Sequence, residues 1–175
     1  MKSYLIQDPK TENHALMIEV MNRYHKSLAD IPITVTVIVV EDVAKEGGRT
    51  GKPALKLHGA PPDASVKINS LKHRVEGKSD ATIFLDGEHW GQTSEAEKVA
   101  ILDHELFHLV EQRDEDGNLL ADDAGRPKLK MRSHDFQVGW FHAIAQRHGP
   151  HAVETQQMQE IAKENWVQGV LNFGG

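Results

Sequence analysis

The chain has 175 residues, 39% of them hydrophobic, which suits one ordinary domain with its own core and is too short for two comfortable ones. Its 20 Lys and Arg against 26 Asp and Glu leave a net charge of −6, without the basic surplus that a generic nucleic-acid binder carries. With no cysteine there is neither a disulfide framework nor a thiolate nucleophile, so any transition-metal site must be built from His, Asp and Glu.

The N-terminal stretch MKSYLIQDPK has a four-residue apolar patch that Gln7 and Asp8 end at once, so it lacks the longer apolar region of a secretory signal. No run approaches the roughly 18–20 apolar residues that span a bilayer. These features set the expectation of a soluble, cytoplasmic protein.

Residues 9–29 read as a helix, with Asp8 as N-cap, Pro9 at the first helical position, and Met17, Met21, Tyr24 and Leu28 on one face. Residues 31–40 (IPITVTVIVV) read as a strand buried on at least one side, with Ile33, Val35, Val37 and Val39 alternating against Thr34, Thr36, Ile38 and Val40. A charged, Gly-rich loop follows over 41–53. Short strands are expected at 54–59, 65–70 and 81–86 (ATIFLD).

Ser94 with Glu97 three residues on is the sequence form of a capping box, and the helix it opens runs to about residue 112. Residues 113–131 have Gly-containing turn signals and no sustained period, which predicts a loop or short hairpin. The basic run GRPKLKMR (125–132) within it reads first as a solvated surface. Residues 133–149 predict a second helix, closed by Gly149 and Pro150, and AVETQQMQEIAKENWVQGVL a last amphipathic one. The order of elements is α+β rather than a regular strand–helix alternation.

Within the 95–112 helix stands His104-Glu105-Leu106-Phe107-His108. Residues four apart share a helix face, so His104 and His108 can present two imidazole nitrogens to one ion. Glu105, about 100° round the helix from His104, can meet a water on that ion. Zinc hydrolases divide the work this way: the ion acidifies water and a carboxylate takes the proton. With 11 histidines in the chain the letters alone would arise by chance about once in twenty such sequences, so context has to decide. Val99, Leu102, Leu106, Leu109 and Val110 lie on the opposite face, which makes this a packed helix with its histidines turned outward.

Catalytic zinc takes three protein ligands and an open position. His134, at the start of the 133–149 helix, is the candidate for the third, with Asp135 either orienting it or serving as the ligand itself. Glu111 is on nearly the same face as His104, but side chains from one helix diverge too far to supply all three. The longer pattern with a third His six residues after His108 is excluded, because Asp114 stands there.

The segments ATIFLDGEHWGQTSEAEKVAILDHELFHL and RSHDF…AIAQRHG, separated by an acidic Gly-containing loop, resemble the zincin-like proteins of the putative phage metallopeptidase family over roughly residues 30–150. The resemblance implies an α+β, zincin-like single domain over 1–175, with a small mixed sheet packed on the active-site helix and further C-terminal helices. It implies His104, His108 and His134 as zinc ligands, Glu105 as general base, and a peptide or protein as substrate. The chain departs from the family after the His-Asp pair, where Gln137, Val138 and Gly139 replace acidic residues. By analogy with such folds, ATIFLD is expected to be the sheet edge that binds an extended peptide. Two rival readings are a metal-stabilised peptide-binding module without catalysis and a nucleic-acid-associated protease of the SprT-like kind, against which the negative charge argues.

Overall fold

The computed structural model describes residues 1–56, 62–133, 147–151, 156, 158, 159 and 163. The chain divides into two compact units, Met1–Ser133 and His134–Gly175. Among the described residues no helix is long and apolar enough to cross a membrane.

The first unit is built on β1 (Lys2–Gln7), β2 (Val35–Asp42), β3 (Ala64–Ile68) and β4 (Ala81–Asp86), arranged in the order β1-β2-β4-β3. The sheet is mixed: β1 runs antiparallel to β2, β2 parallel to β4, and β3 antiparallel to β4. Alternation along β2 and β4 turns Val35, Val37, Val39, Ala81, Ile83 and Leu85 into one apolar cluster. They meet Met17, Val20 and Met21 of α1 (Glu12–Tyr24), Leu28 of α2 (Lys26–Ala29), and Leu102 and Leu106 of α5 (Glu95–Phe107). Short helices α3 (Leu71–Val75) and α4 (Gly87–Trp90) flank β4. Trp90 is held there by its indole N–H, which donates to Asn13 on α1 at 2.9 Å.

The N-terminal helix is shorter than its period suggests. Asp8 closes a turn through its carbonyl, which accepts from Thr11 N–H, and Thr11 rather than Asp8 is the N-cap. The helix also breaks at buried His25, whose φ of −122° and ψ of 57° leave the helical region before α2 resumes. β1 escapes the sequence reading because Tyr4, Leu5 and Ile6 are all well exposed and show no inside–outside alternation. No strand forms over 54–56, and 57–61 lie outside the described residues.

α5 begins where its capping box places it but ends at Phe107, not near 112. Leu109–Glu111 instead form β5, antiparallel to β6 (Leu129–Met131), and isolated bridges Arg113–Leu119 and Ala121–Pro127 continue the hairpin. The apolar spacing of Leu106, Leu109 and Val110 satisfies a helix, but pairing with a distant segment overrides it. Of the two C-terminal helices, residues 134–146 and most of 152–171 lie outside the described residues. Arg147 and His148 are helical, Gly149–His151 form a 3-10 turn, and Gln156, Met158, Gln159 and Lys163 are helical.

Leu102 is fully buried between α5 and the sheet. Leu102→Ala should cost about 2–5 kcal/mol in urea unfolding, and a loss below about 1 kcal/mol would place this side chain outside the core.

Candidate metal centre

The capping box that starts α5 is complete. Ser94 Oγ accepts from Glu97 N–H, while the Glu97 carboxylate accepts Ser94 N–H at 3.0 Å and its hydroxyl at 2.6 Å. With the start fixed and Leu102 and Leu106 in the core, the last turn has one orientation. It buries Glu105 and leaves His104 exposed.

The Nε2 atoms of His104 and His108 lie 3.2 Å apart, with the rings edge to face at 82° and their centroids 4.9 Å apart. Two imidazole nitrogens sharing one tetrahedral zinc, at bonds of ~2.0–2.1 Å, stand about 3.3–3.4 Å apart. The pair therefore has the spacing that one ion requires. His108 Nδ1 is 2.7 Å from the carbonyl oxygen of Arg132. A carbonyl only accepts, so Nδ1 carries a hydrogen, and Nε2 is the ring nitrogen turned toward His104. Metal-ligating histidines are commonly oriented this way.

Glu105 is 7% exposed. Burial pushes its carboxyl above the ordinary glutamate pKa, opposed in part by the charge of His108 and by a hydrogen bond from Val66 N–H. Val66 belongs to β3. Asp63 O and Asn69 N bond back to β4, so by alternation the main-chain groups of Ala64, Val66 and Ile68 face the outer edge of the sheet. This corrects the expectation for ATIFLD: β4 is hydrogen-bonded on both sides, and the edge beside the site helix is β3. Strand order depends on chain crossings that no local pattern records.

Between β3 and α5 opens a cleft of about 380 Å³, lined by Pro62, Asp63, Ala64, Ala100, Ile101, His104 and Glu105. A larger groove of about 660 Å³ lies against β1 and α1, lined largely by apolar residues such as Ile6, Ile18, Met21 and Ile33. The candidate centre is chosen by the histidine pair and the buried carboxylate, which border the smaller cleft.

Three of the five sequence candidates, His104, Glu105 and His108, are thus together. His134 and Asp135 lie outside the described residues, and among the described residues no third His, Asp or Glu completes a metal-binding group. The sequence reading missed the Arg132 carbonyl and the Val66 N–H, which are main-chain groups with no residue-type signature. It also missed His25, buried at 8% exposure with Nε2 2.7 Å from Asp103 Oδ1, which ties the break after α1 to the residue before His104. The basic run is not a free patch: Arg126 is ion-paired to Asp80, and the Arg132 guanidinium lies 3.9 Å over the Phe107 ring.

The model of the putative phage metallopeptidase family matches residues 5–164. The chain belongs to that family. No curated protein and no solved structure is significantly similar to it. Membership carries, at a coarse level, a metal ion and peptide substrates.

Because burial raises the Glu105 pKa, ionising it costs the metal-free fold stability as pH rises through and above the usual glutamate range. Below that range the group is protonated in both folded and unfolded chains and the cost vanishes. Glu105→Gln should therefore be at least as stable as wild type at pH ~7, with an advantage that shrinks toward pH ~4, read from urea midpoints in chelator. A clearly less stable variant at neutral pH would mean that the Val66 hydrogen bond outweighs desolvation.

Proposed function

We propose that the protein is a zincin-like, zinc-dependent peptidase of the cytoplasm, with His104 and His108 as metal ligands and Glu105 as general base. The observation that carries this reading is the 3.2 Å approach of the two Nε2 atoms, one of them oriented by the Arg132 carbonyl. His134 is proposed as third ligand, with Asp135 orienting it or taking its place; the support is the His-Asp pair in the sequence. We treat the two units as one catalytic domain, because the family match runs across the boundary between them.

Zinc bound here would supply Lewis acidity and lower the pKa of its water toward 7. Glu105 would take the proton of the attacking water and pass it to the leaving amine. Burial suits the carboxylate to that work, since a raised proton affinity brings a base closer to the pH at which it operates. A substrate in extended form would add to the outer edge of β3, and the apolar walls of the cleft would accept a side chain beside the scissile bond.

Elemental analysis of the purified chain, paired with turnover of a mixed peptide library, tests this. Wild type and Glu105→Gln should each hold one zinc, whereas His104→Ala and His134→Ala should lose it. Turnover should fall by ~10²–10⁴ in Glu105→Gln with the metal retained. A wild-type chain that takes up no zinc, even on addition, would end the proposal.

A further inference from the structure

Arg132 holds His108 at two points. Its N–H donates to the His108 carbonyl at 2.7 Å, and its own carbonyl accepts from His108 Nδ1 at 2.7 Å. Arg132 follows directly on β6 and is the last link of the hairpin that begins at Leu109. A continuous hydrogen-bond ladder runs from there to the hairpin's far end. Gln112 N–H donates to Lys128 O, Leu120 N–H to Gln112 O, Lys128 N–H to Leu120 O, and Asp122 N–H to Arg126 O.

That far end is clamped to the sheet by charge. Arg74 of α3 lies 2.7 Å from Asp122 and 3.8 Å from Asp80, and its Nη1 donates to Pro127 O. Arg126 donates to Asp80 at 2.8 Å, to the Thr34 hydroxyl at 2.6 Å and to Lys78 O at 3.0 Å. Arg74, Asp80 and Asp122 are all nearly or wholly buried, so the partners of any one removed would be left as desolvated charges. The Arg74–Asp122 contact is close without aligned hydrogen bonds, leaving it as an ion pair. Among the described residues, no side-chain hydrogen bond or ion pair joins these four residues to His104 or His108.

We propose that the 109–132 hairpin is a positioning element for His108, with Arg132 as its contact and the Arg74, Asp80, Asp122 and Arg126 cluster as its anchor. The cluster fixes the hairpin, the hairpin fixes the Arg132 carbonyl, and the carbonyl fixes the tautomer and direction of the His108 ring. Metal affinity is therefore set partly by residues remote from the ligands. The metal part of this inference rests on the function proposed above; the ring geometry does not.

Two readouts on the chain test it: the zinc dissociation constant by competition with a chromophoric chelator, and the ring ¹⁵N shifts of His108 in metal-free protein, which distinguish the Nδ1–H from the Nε2–H form. The variants are Asp122→Asn and the milder, more exposed Arg126→Gln, beside Val37→Ala, a core variant that destabilises without touching the hairpin. The dissociation constant should rise about tenfold or more in both anchor variants. The His108 signature should move from a fixed Nδ1–H form to a tautomer mixture, and Val37→Ala should change neither. If Asp122→Asn does not fold, Arg126→Gln decides alone. Anchor variants with wild-type affinity and tautomer, or a core variant that shifts both equally, overturn the inference. If wild type takes no zinc the functional reading fails, and the tautomer alone decides whether the hairpin positions the ring.

Discussion

In a continuous α-helix the carbonyl of residue 108 would accept from the N–H of residue 112. Here it accepts from Arg132 N–H, and Gln112 donates to Lys128. The helix stops at Phe107, and that early stop places His108 where a returning strand can reach both its backbone and its ring. The candidate site therefore joins two kinds of structure. His104 is held by helix packing and His108 by a hairpin, and the two nitrogens converge only if both are in register.

The same junction sets the electrostatics. Leu102, Leu106 and Leu109 draw this face of the chain into the core, and Glu105 is carried under cover with them. Burial disfavours its charge, and the main chain of Val66 on the sheet edge and nearby His108 oppose that only in part. β3 thus borders the buried carboxylate, and among the described residues it is the outer strand of the sheet on the side of the cleft.

What was legible in the sequence is what local chemistry determines. Ser94 and Glu97 announced the start of α5 to the residue, β-branched alternation over 31–40 marked a strand that the fold places at Val35–Asp42, ATIFLD matched β4, and the spacing of His104, Glu105 and His108 named residues that the fold keeps close. Features set by distant partners were not legible. The end of α5 depends on residues 129–132, twenty positions on; β3 rather than β4 is the edge because of chain crossings; β1 is an exposed strand whose apolar residues point to both sides. The Arg74–Asp122 and Arg126–Asp80 pairs carry no signal in sequence, since each acquires its meaning only when the hairpin folds back on the sheet.

The central claim is that one ion sits between His104 and His108, and zinc K-edge X-ray absorption on the reconstituted 175-residue chain addresses it most directly. The account predicts a shell of nitrogen and oxygen at ~2.0–2.1 Å with the outer scattering of at least two imidazole rings, and loss of that imidazole signal in His108→Ala. A chain that retains no zinc, or zinc in an oxygen-only shell unchanged in His108→Ala, would contradict it.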